Sequence, residues 1–223
     1  MSVDEQAREQ MILDVAASLI IRHGYNKTTM SDVAKAVGLH RGLVYLHFKS
    51  KEALLEALIA REMRNYGEIW IKHLEADPKG GTVASTYRSM LYALGRAPFL
   101  AAITTRDEGT FGTYLRKPDN LFKDLPATSM TRGFLQAMQE AGVVRQQVNI
   151  AAMAFILDTL SYSLLEPRPV GTREHTPSYE EVMETIAEMV DRMLTPEDGG
   201  DLEAGKAVLR QLAEDARAHF ARL

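Results

Sequence analysis

The apolar positions along this chain recur mainly at intervals of three and four residues, the spacing that gathers them on one face of an α-helix. Met11, Val15 and Leu19 show it in the first such segment, residues 3–23, which we predict to be a helix. The alternation of apolar and polar residues that is typical of strands does not extend over any useful length. The pattern therefore predicts an all-α fold.

Local signals for the ends of helices divide the chain further. Ser2, Thr29 and Ser178 are each followed three residues later by Asp or Glu, which is the capping-box pattern of a helix start. Gly24, Gly38 and Gly142 each follow an apolar-periodic run, where glycine commonly ends a helix. We predict helices at residues 30–37, 40–46, 51–76, 82–96, 98–108, 129–142, 149–166, 179–194 and 201–223, with short helices and loops over 109–126.

The break "DPKGG" at residues 77–81 suggests a domain boundary. We predict an N-terminal head over residues 1–50, a connecting helix over 51–76 and a larger helical domain over 77–223. The role of the segment after Pro196 is left open.

The stretch "VAKAVGLHRGLVYLHFKSKEALL", residues 33–55, has the pattern of two short helices around a glycine turn. Val33 and Ala34 form the inner face of the first helix, and Gly38 allows the positive φ of a sharp turn. Leu39, either Leu43 or Val44, and Phe48 pack the second helix against the first. The residues left facing outward are His40, Arg41, Gly42, Tyr45 and His47.

The charge distribution supports a phosphate-binding surface in the same region. Residues 22–51 carry six basic residues and one acidic residue, a net of +5 in a chain whose net charge is −4. A basic patch on an acidic protein is typical of nucleic-acid binding. Charge alone also fits an ordinary solvated face. The outward residues near the start of a short second helix favour a helix-turn-helix that touches base edges.

The block "TTMSDVAKAVGLHRGLVYLHFKSKEALLEAL", residues 28–58, resembles the DNA-binding signature of the tetracycline-repressor family of bacterial transcriptional regulators. The resemblance implies an N-terminal three-helix head joined by a fourth helix to a helical domain for ligand binding and dimerisation. It implies DNA contacts for the following residues: Lys27, Thr28, Thr29, His40, Arg41, Gly42, Leu43, Tyr45, His47 and Lys51.

Within that set the resemblance implies different roles. Thr29 caps the second helix near the phosphate backbone, and Arg41 is the candidate for base readout, worth ~1–3 kcal/mol of discrimination at guanine. Gly42 lets the helix backbone approach the groove. Tyr45, His47 and Lys51 contact phosphate.

Two residues depart from the family pattern. His40 stands where the family usually has a serine cap, so we expect a weaker cap there. Leu46 stands where a polar residue is common, and it either touches a thymine methyl group or lies against the fourth helix. The sequence favours the second alternative.

The resemblance also implies an effector pocket among the middle helices, although apolar residues at helical spacing are more often core. Methionine suits adaptable binding of apolar molecules, and Asp158 needs a partner or a ligand because it lies in an apolar helix. An ion pair with an arginine explains Asp158 equally well. The candidate lining residues are Tyr87, Met90, Leu91, Phe99, Ile103, Phe111, Tyr114, Phe122, Phe134, Met138, Phe155 and Asp158.

A single helix-turn-helix reads few bases, so we expect a homodimer whose two recognition helices lie ~34–36 Å apart on a palindromic operator. The resemblance implies a four-helix interface from the helices at 149–166 and 179–194, although the same stripe could be intramolecular core. The candidate interface residues are Ala151, Ala154, Tyr162, Val182, Ile186, Met189, Val190 and Met193.

Other classes of function fit the chain poorly. It has no cysteine, so disulfides and thiolate metal sites are excluded, and it lacks zinc-protease, nucleophile-elbow, phosphate-loop and dinucleotide motifs. We expect no catalytic residue, metal or cofactor. With no apolar run near the ~20 residues of a membrane span and a polar N-terminus, we expect a cytoplasmic protein.

The sequence-based hypothesis is a transcriptional regulator, most simply a repressor released by a small apolar effector, with activation also open. The alternative is an adaptor or an apolar-ligand carrier that does not bind DNA. Neither alternative needs the outward set Arg41, Tyr45, His47 and Lys51 beside Gly42.

Overall fold

The structure is a computed structural model that describes residues 3–95, 97–123, 130–165 and 177–220. These residues form eleven α-helices and two short 3₁₀ segments, and no strand occurs among them. The helices are α1 (Val3–His23), α2 (Met30–Val37), α3 (Arg41–His47), α4 (Lys51–Ala76), α5 (Val83–Gly95), α6 (Pro98–Thr105), α7 (Glu108–Phe111), α8 (Met130–Glu140), α9 (Ile150–Leu165), α10 (Tyr179–Leu194) and α11 (Leu202–Phe220).

The all-α prediction is confirmed, and most helix boundaries follow the local signals. The helices α1 and α2 have the predicted limits, and the capping boxes at Thr29 and Ser178 are both formed. The third box rests on Ser2, which lies outside the described residues. Short helices and loops were expected over residues 109–126, and in the described part, residues 109–123, the chain forms the end of α7 and the 3₁₀ segments Gly112–Arg116 and Leu121–Lys123.

The described chain divides into two compact units. The first holds residues 3–65 and 97–123, and the second holds residues 66–95, 130–165 and 177–219. The division falls inside α4, between Asn65 and Tyr66, whereas the sequence placed boundaries at residues 50 and 76. Residues 97–123 also join the N-terminal helices instead of the ligand domain to which the sequence assigned them.

The first unit is built around α1 and the first half of α4. Ile12 and Ala16 of α1, with Leu55 and Leu58 of α4, are completely buried. The segment that follows α6 is tied to the end of α1, where the Tyr25 amide donates to the Thr110 carbonyl at 2.7 Å. Such a contact between distant parts of the chain explains why residues 97–123 belong to this unit.

The second unit packs α5 against α10 and α8 against α9. Arg88 of α5 joins two carboxylates, with Nη1 3.3 Å from Asp77 and Nε 2.9 Å from Glu184 of α10. The Tyr179 hydroxyl donates to the Leu91 carbonyl at 2.9 Å. These polar contacts hold α10 on α5 beside the apolar core.

The helix α11, whose role the sequence left open, packs within the second unit. A Cβ atom at Gly205 would lie 2.1 Å from the Gly81 carbonyl oxygen, far inside van der Waals contact. Leu209, one turn later, is 1% exposed. The helix therefore approaches the turn before α5 at backbone distance, which only glycine permits.

None of the described helices is both long enough and apolar enough to cross a membrane.

Candidate nucleic-acid interface

The helix α2 is fixed at both ends by local hydrogen bonds. The Thr29 hydroxyl accepts from the Asp32 amide at 3.1 Å, while the Asp32 carboxylate accepts from the Thr29 amide at 2.9 Å. The Asp32 carboxylate also accepts from the Thr29 hydroxyl at 2.7 Å, and this bond, followed by the one from the Thr29 amide, lowers the pKa of Asp32 below its ordinary value. At the other end Gly38 has φ +76°, and the Leu39 amide returns to the Ala34 carbonyl at 2.9 Å. The turn into α3 is thereby set by sequence-local interactions.

His40 acts as the N-cap of α3, although serine is the usual residue there. Its Nδ1 atom accepts from the Gly42 amide at 3.2 Å, so the ring satisfies one of the free amides of the first turn. The first turn of α3 therefore still has a side-chain cap, although histidine stands in place of serine.

The burial of α3 shows which face it turns away from the protein. Val44 is fully buried and Leu43 is 38% exposed, so Val44 is the residue that packs the helix inward. Leu46 is 80% exposed, and the expectation that it lies against the fourth helix is wrong. The reason is geometric, because Leu46 follows Val44 by two positions, about 200° around a helix of 3.6 residues per turn.

Arg41 and Tyr45 form an exposed pair along α3. The guanidinium Nη2 donates to the Tyr45 hydroxyl at 3.1 Å, and its carbon lies 5.2 Å from the centre of the ring. The pair joins residues four apart on one helix, which face each other. It holds the guanidinium along the helix surface before any ligand is bound.

Three residues predicted to contact DNA have their polar groups turned into the protein. The Thr28 hydroxyl donates to the Gly24 carbonyl at 2.9 Å, and the His47 side chain is only 9% exposed, with Nδ1 4.0 Å from Glu9. The Lys51 ammonium donates to the Tyr25 carbonyl at 2.9 Å and lies 3.9 Å from the centre of the Tyr25 ring. Partial burial lowers the pKa of Lys51.

The other predicted DNA-contact residues are exposed, and so are five of the six basic side chains between residues 22 and 51. The predicted contact residues that face solvent are Lys27, Thr29, His40, Arg41, Gly42, Leu43 and Tyr45.

The sequence did not identify a polar cluster in the first unit that includes Tyr25, the residue to which Lys51 donates. Glu52 accepts from the Tyr25 hydroxyl at 3.0 Å and from the Lys117 ammonium. The bond from Lys117 is the main reason that the pKa of Glu52 falls to about 2. Burial, followed by the bond to Glu52, raises the pKa of Tyr25. The signature contained Glu52, but no sequence signal pairs it with Lys117, 65 residues later.

The predicted effector-pocket residues are divided between the two units. Phe99, Ile103, Phe111 and Tyr114 are buried in the first unit. There Phe111 lies edge-on to Phe99 and Phe122, with ring centres 5.7 and 5.0 Å apart. The remaining candidates belong to the second unit: Tyr87, Met90, Leu91, Phe134, Met138, Phe155 and Asp158.

In the second unit the polar candidates already have protein partners. The Asp158 carboxylate accepts from the Thr131 hydroxyl at 2.6 Å, where the sequence left open an arginine or a ligand. The Tyr87 hydroxyl lies 2.9 Å from the Ser161 hydroxyl oxygen. Phe155 is 73% exposed on α9. A role for these residues in effector binding stays a prediction.

The predicted dimer residues include both buried and exposed side chains. Ala154, Ile186 and Val190 are buried within the protomer and Val182 is half-buried. Ala151, Met189 and Met193 are exposed, as are Phe155 and Ile156 of α9. The side chain of Tyr162 lies outside the described residues.

Within the described residues, no three His, Asp or Glu side chains converge in a way that could hold a metal ion.

Residues 12–58, from α1 to the first part of α4, match the family described as "Bacterial regulatory proteins, tetR family". The chain is 34% identical over 88 residues to the HTH-type transcriptional regulator AcrR of Shigella flexneri, a match to 40% of each chain. It is 26% identical over 178 residues to the HTH-type transcriptional repressor KstR2 of Rhodococcus jostii, covering 75% of this chain and 83% of KstR2.

Solved structures share the fold over most of the chain. The transcriptional regulator FadR of Bacillus subtilis, in complex with stearoyl-CoA, superposes with a TM-score of 0.58 at 18% identity, over 81% of this chain and 96% of FadR. The ketosteroid transcriptional regulator KstR2 of Mycobacterium tuberculosis superposes with a TM-score of 0.55 at 17% identity, over 85% of this chain and 96% of KstR2. With the signature formed in α2 and α3, residues 12–58 of this chain are similar to the tetR family of bacterial regulatory proteins, and the fold is shared over most of the chain with solved transcriptional regulators.

Proposed function

We propose that this chain is a transcriptional repressor that binds a palindromic operator as a homodimer and leaves it when a small, largely apolar effector binds. The observation that carries the proposal is α3, a capped helix whose exposed side holds Arg41, Gly42 and Tyr45. The relatives with sequence similarity support a regulator, and KstR2 is named a repressor.

Electrostatics support DNA as the partner. The exposed cations at Lys27, Lys35, Arg41 and Lys49 lie on a segment with a net charge of +5 in an acidic chain. Such a patch attracts phosphate and makes binding depend on salt.

Dimerisation is supported by exposed apolar side chains on two helices of the second unit. Phe155 and Ile156 of α9 are 73% and 47% exposed, and Met189 and Met193 of α10 are 51% and 52% exposed. Exposed apolar patches mark interfaces in soluble proteins. A second copy of the chain covers them in the proposed dimer.

The effector is proposed to act on the second unit, with α4 as the link to the first. This helix runs without a break from Lys51 to Ala76 and contributes to both units. An effector that prefers the form unable to bind DNA shifts the equilibrium by its differential affinity, typically ~1–3 kcal/mol. The stearoyl-CoA bound by FadR suggests a fatty acyl chain as the first effector to test.

The experiment is selection of a binding site from a randomised duplex pool by the purified full chain at two salt concentrations. Enrichment of a palindrome is the expected result. Arg41→Ala should relax the preference at one position of each half-site, whereas Lys27→Ala should weaken all sequences and flatten the salt dependence. Weak binding with no enriched sequence contradicts the proposal and leaves the adaptor or carrier as the better account. Stearoyl-CoA, added to the complex with the selected site, then tests the effector class.

A further inference from the structure

Leu46 is the most exposed large apolar side chain among the described residues, at 80%. It lies on α3, within the segment that carries the cations Lys27, Lys35, Arg41 and Lys49. The core of a protein–protein interface is depleted of charged residues, so these surroundings fit DNA better than a protein partner.

The geometry of α3 places Leu46 on the side of the helix that faces away from the protein. Counted from the buried Val44 at about 100° per residue, Gly42 lies at about 160° and Leu46 at about 200°. Gly42 and Leu46 therefore share the outermost line of the helix, whereas Arg41 lies nearer the protein, at about 60° on this scale.

Gly42 has no side chain to hold the helix away from a groove. A Cβ at this position would meet only the His40 ring, at 3.4 Å, so protein packing does not require glycine here. Because Gly42 has no side chain, there is a gap beside Leu46 on the outer side of α3. The helix can therefore approach base edges closely and bring the leucine methyl groups to the floor of the major groove.

A leucine side chain can recognise one feature of the major groove, an apolar group on a base edge. Leucine cannot donate or accept a hydrogen bond, and thymine presents a C5-methyl group in the major groove. Burying one methyl group against apolar atoms changes affinity by about fourfold.

We propose that Leu46 reads a thymine methyl group in each operator half-site, with Gly42 providing the close approach. The inference rests on the proposed function, because it requires that α3 enters the major groove. It assigns a specificity role to a residue outside the set that the family signature implied.

The test replaces each thymine of the selected site by deoxyuridine, one position at a time and symmetrically in both half-sites. This change keeps base pairing and removes only the methyl group. The wild-type chain should lose about fourfold in affinity per methyl at one position of the half-site. Leu46→Ala should bind the thymine site more weakly and show no further loss with deoxyuridine at that position. Because Leu46 is exposed and alanine favours helix, the variant should keep the fold.

Leu43→Ala is the matched control, since it shortens a neighbouring leucine of the same helix at a different angle. It should keep the wild-type loss at the position assigned to Leu46. A site without thymine, a wild-type chain indifferent to deoxyuridine, or equal losses in wild type and Leu46→Ala would each overturn the inference and leave DNA binding intact. Failure to select any site contradicts the proposed function itself, and the inference with it.

Discussion

At the scale of single residues, the two glycines of the helix pair α2–α3 differ in what the fold requires of them. Gly38 has a positive φ that other residues adopt with strain, and nothing lies within 4 Å of a Cβ placed there. Gly42 is an ordinary helical position with room for a Cβ. The two glycines of this helix pair therefore have different physical roles.

We expect Gly38→Ala to lower the free energy of unfolding by about 1 kcal/mol, because alanine pays the cost of the left-handed conformation. Gly42→Ala should leave that free energy unchanged or raise it by up to about 1 kcal/mol, because alanine favours helix. Urea unfolding of the two variants and the wild type measures the difference.

For affinity to the operator, we expect the larger effect at Gly42 and the smaller effect at Gly38. Gly42→Ala should weaken affinity for the selected operator at least tenfold, a typical loss for one disrupted base contact. Full binding by Gly42→Ala would show that α3 does not need the space beside this glycine.

At the scale of helices and their contacts, two features join parts of the chain far apart in sequence. Glu52 at the start of α4 holds Tyr25 and Lys117 within the first unit. Gly205 of α11 sits against the carbonyl of Gly81 within the second. Each contact can be tested without touching the DNA-facing surface.

The ion pair of Glu52 predicts a pH dependence of stability. Its pKa is about 2 in the folded chain against an ordinary 4.5, so its contribution is complete above pH 4.5 and is lost as the pH falls from 4.5 toward 2. We expect Glu52→Gln to lower the free energy of unfolding at pH 7 by about 1 kcal/mol, a value reduced for screening because the side chain is 37% exposed.

The deficit of Glu52→Gln should shrink between pH 4.5 and pH 3, as the wild type loses the same interaction. Urea unfolding at pH 7, 4.5 and 3 measures it, with Glu68→Gln at an exposed position of α4 as the reference. A deficit that stays constant over this range would contradict the assignment.

The contact at Gly205 predicts a large effect from one methyl group. Gly205→Ala should lower the melting temperature by several degrees, because the added Cβ would overlap a backbone carbonyl that cannot move aside alone. Gly133→Ala in α8 is the matched control, since a Cβ there has open space, and it should leave the melting temperature unchanged or raise it. Equal effects of the two substitutions would rule out a close approach of α11.

At the scale of the whole molecule, the proposed repressor depends on assembly. The second unit exposes apolar side chains on α9 and α10, chiefly Phe155, Ile156, Met189 and Met193. A partner that covers them would remove this apolar surface from water. A monomer would read only one half-site, so loss of the dimer should appear as loss of operator affinity.

We therefore expect Phe155→Glu to make the chain monomeric where the wild type forms the proposed dimer, because that dimer would bury two unpaired carboxylates. Light scattering on a sizing column measures the mass, and operator binding should weaken in parallel. Met11→Glu is the control, since Met11 is 50% exposed in the first unit, outside the proposed interface, and its mass should match the wild type. An unchanged mass for Phe155→Glu would place the interface elsewhere.

The sequence by itself determined the helices, their caps and the helix-turn-helix. Three features depend on residues within four positions of one another: the boundaries of α2, the capping boxes at Thr29 and Ser178, and the turn at Gly38. A local sequence pattern is therefore enough to predict them.

Only the tertiary structure decided which side chains remain available and which segments pack together. Lys51 and His47 match the signature, yet their polar groups face Tyr25 and Glu9, far away in sequence. Residues 97–123 join the N-terminal helices through contacts such as Tyr25 with Thr110. The burial of Val44 instead of Leu43, which leaves Leu46 on the opposite side of α3, was also decided by the tertiary structure, because periodicity alone does not tell which element covers a helix face.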